Sequence, residues 1–319
     1  NAKRMNDKAT SFDLNGGAES SFVSPGLLYN TNGIGQDNNT VSSYMAAADI
    51  MLDSMTTLIN ILVVPGIKES FITDYIGKKA KDYKLSVYIM DLASYDDDNN
   101  RLYDDSTNKP DVEKTISNFA SRAVDNSYMD TYFPDCTIED EVTNKRVDVP
   151  ASILALTAYA FNDKNKYPWF APAGFNRGAL DMVKNVKVRL STADRDALYE
   201  ARINPIATFP RQGFVIYGQR TLQLKQSNLR SVNVRRMILE VKRVVIAIAS
   251  RIVFEQNTPE KRKEFVDSVN AYLSLVKSQQ GVEFFKVVMD DSNNSEEDKL
   301  LHKVNGRVIV KPVLAIENI

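Results

Sequence analysis

Leu58-Ile59-Asn60-Ile61-Leu62-Val63-Val64, closed by Pro65-Gly66, and Leu85-Ser86-Val87-Tyr88-Ile89-Met90 are the stretches whose reading decides the fold. Each is a short apolar run, the pattern of a strand covered on both faces. Between them Phe71, Ile72, Tyr75 and Ile76 share one helical face. Strand, helix and strand within about 30 residues is a βαβ unit. Residues 57–91 are therefore expected to hold two adjacent or near-adjacent parallel strands with a right-handed crossover.

Working outward, residues 1–40 are rich in Asn, Gly, Ser and Asp, with turn signals at Gly16-Gly17, Pro25-Gly26 and Gly33. They read as an irregular lead-in. On the other side, residues 91–111 are acidic and Asn-rich, a long loop that is either mobile or the stub of an insertion. A helix over 112–124 and a strand over 128–133 follow. Cys136 to Val142 and Lys145 to Val149 flank Thr143-Asn144 as a hairpin, and Val149-Pro150-Ala151-Ser152 opens an Ala-rich helix through about Phe161. Leu190-Ser191-Thr192 starts a helix with a hydroxyl N-cap that must end by Asn204-Pro205. Phe214 to Tyr217 is a strand and Val232 to about Phe254 a long helix. Thr258-Pro259 caps a further helix that Gly281 ends. Strands are expected at 284–289 and 308–310. The fold class is α/β plus α+β: a middle α/β region over 41–165 and a C-terminal mixed region over 166–319.

Composition narrows the chemistry. The chain has 319 residues, 43% hydrophobic and 25% charged, with a net charge of −1, so no global field favours nucleic acid or an anionic membrane. No apolar run approaches the ~18 residues of a membrane span. Cys136 is the only cysteine and His302 the only histidine, which leaves no metal-binding set, and any Ser-His-Asp arrangement must use His302, which follows the acidic run Glu296 to Asp298 and reads as a plain surface histidine at a loop edge. Cys136 reads as a small core hydrophobe. Neither G-x-G-x-x-G nor G-x-x-x-x-G-K-[ST] occurs. Asp96-Asp97-Asp98-Asn99-Asn100 lacks the alternating ligands and distal Glu of a calcium loop and reads as a solvated acidic loop. No catalytic constellation and no cofactor site emerge.

In the long helix, Val234, Ile238, Val241, Val245, Ile248 and Ile252 form one stripe at 100° per residue. Arg235 and Lys242 form a row at seven-residue spacing, and Arg236 and Arg243 a second. Two readings fit. The arginines snorkel or pair with nearby carboxylates in a buried helix, or they form a basic surface for an acidic partner. The next helix has its own stripe at Phe265, Val269, Tyr272 and Val276, widened by Val266 and Leu273. Its first turn carries Lys261, Arg262 and Lys263 at the positive end of the helix dipole, where cations are mildly unfavourable, a hint of external use.

Tyr167-Pro168-Trp169-Phe170-Ala171-Pro172-Ala173-Gly174 resembles the W-x-A-P-A-G/N motif of contractile tail sheath proteins. Further matches follow in order: Leu190-Ser191, Asp194-Arg195-Asp196-Ala197-Leu198-Tyr199 and Ile203-Asn204-Pro205-Ile206. Gly213 to Leu222 is similar to that family's G-x-x-x-x-G-x-R-T-L stretch. Val232-Asn233-Val234-Arg235-Arg236 resembles its helix start and Phe254-Glu255-Gln256-Asn257 its helix end. Ser127 to Pro134, Val149-Pro150-Ala151-Ser152 and Leu14-Asn15-Gly16-Gly17 echo it more loosely, with Ala18-Glu19 replacing an acidic-Gly pair. The resemblance covers about 120–319 well and 10–120 loosely. Phage tails, phage-derived bacteriocins and cellular injection machines share these motifs.

The resemblance implies a layered two-domain core and helical stacking of subunits around an inner tail tube, with terminal arms that add strands to neighbours. It implies neighbouring sheath subunits, the tube, baseplate and tail terminator proteins as partners, and a virion tail assembled in the host cytoplasm. It implies that the C-terminal region faces the tube, which makes Arg235, Arg236, Lys242, Arg243, Lys261, Arg262 and Lys263 candidate tube contacts. Val308, Ile309, Val310, Ile316 and Ile319 lie on the approach to the family's final strand and are candidate inter-subunit arm residues. On this reading the chain is a trimmed core, with 1–40 a remnant of the N-terminal arm. Strand exchange needs a donor strand and a receiving edge. The fragment is therefore expected to be monomeric at micromolar concentration, with its core intact. Light scattering that detects a filament or ring contradicts this.

Overall fold

The computed structural model describes residues 39–55, 57–103, 106–140 and 142–317. The turns expected in residues 1–38, and Ile319, lie outside them. Contacts divide the chain after Tyr44, and helix α1 (Asn39–Met51) begins before that division. The elements that follow belong to the unit starting at Met45.

Strand β1 (Ile61–Val63) is followed by helix α2 (Ser70–Tyr83) and strand β2 (Val87–Met90). β1 and β2 pair in parallel, with Ile61 opposite Val87 and Val63 opposite Ile89. The βαβ unit read from 57–91 is thus present, with a first strand shorter than its apolar run. All four residues of β2 are buried, as expected of a parallel strand covered on both faces.

β5 (Asn126–Phe133) is the next strand of this sheet, pairing in parallel with β2 through Tyr88 and Met129. β9 (Asn204–Phe209) joins it in parallel at Tyr132 and Asn204, and β10 (Gly213–Ile216) closes the edge as an antiparallel hairpin with β9. β11 (Thr221–Leu222) pairs antiparallel with β5. The sheet therefore takes strands from both sides of residue 165. Asn204-Pro205, read as a helix limit, also opens a buried strand. Pro205 lacks an N–H to donate, yet Asn204 satisfies its surroundings: its amide donates to the carbonyls of Thr131 (3.1 Å) and Arg220 (2.8 Å).

Alternation along β5 assigns the two faces. Met129 meets α2 at Gly77, where a Cβ would sit 2.2 Å from the Met129 sulfur, so glycine permits this close approach. Asn126, the first residue of the strand, departs from this alternation: its amide also reaches α2, donating to the Gly77 carbonyl at 2.7 Å. Asp130 and Tyr132, one and three residues on, meet Tyr159 of helix α4 (Ala151–Asn165). α2 and α4 therefore cover opposite faces. Around α4, one core gathers Ile89, Tyr132, Cys136, Leu154, Ala155, Ala158, Ile206, Ile216 and Val232.

The acidic loop after β2 is organised. β3 (Ser94–Tyr95) and β4 (Arg101–Leu102) form a small hairpin. Its turn is fixed because the Asp96 carboxylate accepts from the Asn100 backbone N–H (2.7 Å) and the Asn108 amide (3.0 Å), so Asp96 is not merely solvated. Helix α3 (Val112–Ser121) then starts with Asp111 accepting from the Lys114 N–H. The hairpin read around Thr143-Asn144 is β6 (Cys136–Glu139) with β7 (Arg146–Val149), and an unforeseen third strand, β8 (Val183–Val186), pairs on the other side of β6. Helix α5 (Thr192–Glu200) begins at Ser191 with a capping box through Asp194, the arrangement its hydroxyl cap announced.

The remaining elements form a second core. Helices α6 (Val232–Ser250) and α7 (Pro259–Ser278) pack with strand β12 (Val282–Val288), helix α8 (Glu296–Leu300) follows, and β13 (Arg307–Pro312) pairs antiparallel with β12. Trp169, Met237, Val241, Phe265, Val269, Leu273, Val276 and Met289 fill this core. Gly281 does not take the left-handed cap expected of it. Gln280 does, with φ 63°. Glycine serves at 281 because a Cβ there would lie 2.5 Å from Val276 and 3.1 Å from the Trp169 ring.

Asp130 is fully buried, and its pKa is pushed up to about 7, chiefly by burial, against the opposing effects of the Tyr159 hydroxyl and Arg236. An unfolded Asp titrates near 3.8, so folding favours the protonated form. The stability this confers is present below about pH 4 and is lost as pH rises through about 7. Asp130→Asn keeps an acceptor for Tyr159 and carries no charge. Urea unfolding between pH 5 and 8 should show a decline in stability, on the order of 2–4 kcal/mol, that this variant flattens; parallel curves for both proteins contradict it.

Candidate functional site

The seven basic candidates divide by burial. Arg235 and Arg236, in the first turns of α6, are each 5% exposed. That turn lies where β5 begins and α4 ends. Arg235 donates from Nε to the Ser127 carbonyl at 3.1 Å and from Nη2 to the Ser127 hydroxyl, with its guanidinium 4.1 Å from the Tyr128 ring centroid. Arg236 pairs with Asp163 and lies 4.5 Å from the Tyr159 centroid. Asn233 donates to the Trp169 carbonyl at 3.1 Å. These contacts are internal, so Arg235 and Arg236 are not available to a partner in this structure. Of the two, Arg236 meets a carboxylate, whereas Arg235 is held by a carbonyl, a hydroxyl and an aromatic face instead.

Arg262 is also withdrawn. It is 5% exposed, with Nε donating to Asn257 Oδ1 and Nη1 to Asp291 Oδ1, both at 2.8 Å. It fixes the start of α7 to the turn after β12, which accounts for a cation at the unfavourable end of a helix dipole. Lys261 lies 2.9 Å from Glu264 and 3.9 Å from Glu255. Lys263 is exposed. Lys242 donates to the Lys84 carbonyl at 3.2 Å, and Arg243 pairs with Glu240 at 3.0 Å; both are half-buried. Farther along α6 and into the turn beyond it, Ile246, Val253 and Phe254 are exposed, Phe254 completely.

Three of the arm candidates, Val308, Ile309 and Val310, lie on a ribbon. β13 alternates along its length: Val308 and Val310 point inward and pack on the second core with Phe285 and Val287, while Ile309 points outward and is 45% exposed. Phe285 faces Val310, and Lys286 faces Ile309. The ribbon contains only β12 and β13, so among the described residues each strand has one edge without a strand partner. Val308 to Val310 are therefore paired within their own chain. Ile316 is 85% exposed.

The motif around Trp169 is a junction. The indole N–H donates to the Gln279 carbonyl at the end of α7 (2.9 Å), and the ring stacks on Tyr167 at 4.9 Å. The Asn162 amide of α4 donates to the Tyr167 carbonyl at 3.0 Å. Nothing in the local spacing separates these knots from surface charge: Arg235 follows Val234, but Arg236 follows Arg235 and Arg262 follows Lys261. That spacing does not name the partners Ser127 and Asp163, which lie 108 and 73 residues away.

A structural role for Arg236 has a direct consequence. Arg236→Ala should lower stability by about 2–3 kcal/mol, because a buried pair loses one member while Asp163 can still reach water. Lys263→Ala should change it by less than about 0.5 kcal/mol. Urea unfolding of both variants checks this; equal effects refute it.

No family model matches the chain. It is 36% identical over 173 residues to the tail sheath protein of Vibrio phage KVP40, a match covering 54% of this chain and 26% of that protein. It is 32% identical over 152 residues to the tail sheath protein of Enterobacteria phage T4, covering 48% of this chain and 23% of that protein. The matches thus span about a quarter of the length of these relatives. Among solved structures, it superposes on a chain of the anti-feeding prophage baseplate with a TM-score of 0.71, at 19% identity, over 98% of this chain and 84% of that one. It superposes on a chain of the contracted sheath complex of an extracellular contractile injection system with a TM-score of 0.68, at 20% identity, over 91% and 80%. Over about half of its length the chain is similar in sequence to phage tail sheath proteins, and over more than nine-tenths of it shares the fold of chains from contractile injection systems.

Proposed function

We propose that the chain forms the core of a subunit that polymerises helically around an inner tail tube and contracts to drive that tube through a target cell envelope. The observation that carries this reading is the sequence match to phage tail sheath proteins, made on a fold shared with contractile-system chains over more than nine-tenths of its length. Its partners are then neighbouring sheath subunits, the tube, the baseplate and the tail terminator. Its place is the virion tail, after assembly in the host cytoplasm. The role is structural and non-enzymatic, without cofactor, nucleic acid or membrane.

The open ribbon supports assembly by strand addition, a main-chain recognition mode that makes few demands on sequence. Contacts between unlike surfaces that do not close generate an open helix. A division into regions 41–165 and 166–319 belongs to this proposal. The second core supports it, since its residues all follow 165, while the shared sheet and α6 join the two. For the tube-facing surface, Lys242, Arg243, Lys261 and Lys263 are the candidates left after burial is considered. Each rim charge contributes only about 0.2–1 kcal/mol, so a ring of subunits must act collectively.

Negative-stain imaging of the protein carrying all of its natural sequence should show rings or helical tubes; single subunits alone under assembly conditions overturn the reading. Reversing the four charges together should abolish co-sedimentation with tail tubes at low salt. Unchanged co-sedimentation removes this surface from the tube contact.

A further inference from the structure

Beyond β13 the segment Val313 to Glu317 has exposed apolar side chains: Val313 40%, Leu314 56% and Ile316 85%. Its backbone tie is the Val313 N–H to the Gly281 carbonyl at 3.2 Å. Burial does not hold it. A carboxylate does. Glu317 accepts from the Tyr199 hydroxyl, from the Gln219 amide at 2.9 Å, and lies 3.3 Å from Arg220 Nη2. The Arg220 guanidinium sits 4.5 Å from the Tyr199 ring centroid, so its plane is fixed on one side.

The backbones that carry the three groups are placed without help from Glu317. Tyr199 lies on α5. The Gln219 carbonyl accepts from the Val232 N–H at 2.9 Å, and the Arg220 backbone is held on both sides by the Asn204 side chain. Gln219 is 3% exposed, and among the described residues its Oε1 has no partner; nor has Arg220 Nε. A buried amide with a free oxygen would ordinarily turn to satisfy it. Turning would point that oxygen at the Glu317 carboxylate, so the amide's orientation matches an anion in the socket. Two of the sequence motifs, Asp194 to Tyr199 and Gly213 to Leu222, converge here.

We propose that Tyr199, Gln219 and Arg220 form a carboxylate-binding socket whose ligand is the Glu317 side chain of the same chain, and that this contact sets the path of the chain after β13. Charge-assisted hydrogen bonds from a preformed set of donors are the stronger kind, and the segment has little else to fix it. The inference holds whether or not the chain assembles.

Amide hydrogen exchange by mass spectrometry tests it. Glu317→Gln should raise exchange at Val313, the amide of this segment tied to Gly281, by about 10-fold or more, as local opening becomes easier. Tyr199→Phe should have a smaller effect in the same segment. Glu283→Gln, which removes a surface pair with Lys311, should leave 313–317 unchanged. Unaltered exchange in Glu317→Gln overturns the proposal. So does an increase spread through β12 and β13, which would make the contact part of general stability.

Discussion

The pair of buried guanidinium groups at the start of α6 is the constraint on which the rest of the structure depends. A buried charge without partners is costly, so each arginine dictates what surrounds it. Arg235 requires the Ser127 carbonyl and hydroxyl and the face of Tyr128; Arg236 requires Asp163 and the face of Tyr159. Those partners belong to β5 and α4, the central strand and its covering helix. Satisfying two cations thus fixes the long helix against the sheet in position and rotation, and fixes where the sequence around Trp169 must pass.

The same economy recurs. Asn204 ties β5, β9 and the approach to β11 through one side chain. Asp91 binds the start of α4, accepting from the Ser152 N–H and hydroxyl and from the Gly66 N–H. Burial, reinforced by the nearby Asp135, raises its pKa to about 6. The parallel strands supply an apolar frame; a few buried polar side chains choose one arrangement of it.

Much of that frame was legible in the sequence. The runs at Leu58 and Leu85, the hydroxyl caps at Ser191 and Thr258 and the stripes of α6 and α7 report local periodicity and local hydrogen bonding, which a sequence carries openly. β8, β9 and β11 were not legible, because short strands owe their existence to an edge supplied by distant residues. The charged residues were the hardest to place. Arg236 and Arg243 share a helical row, yet one is sealed against Tyr159 and the other is half-buried beside Glu240. The difference is made by Asp163, 73 positions away. The strand at Val308 to Val310 was read correctly, while its partner within the chain follows from the packing of β12 on α7.

Helix α6 begins in one core and ends in the other: Val232 packs with the sheet, and Met237, Val241, Val245 and Ile248 pack with α7 and the ribbon. At 1.5 Å per residue the 19 residues make a rod about 28 Å long. A rod keyed at one end by two guanidinium groups resists rotation about its own axis as well as bending. Any force applied at the β12–β13 ribbon would therefore reach the main sheet as torque on a stiff shaft, since the helix runs unbroken from Val232 to Ser250.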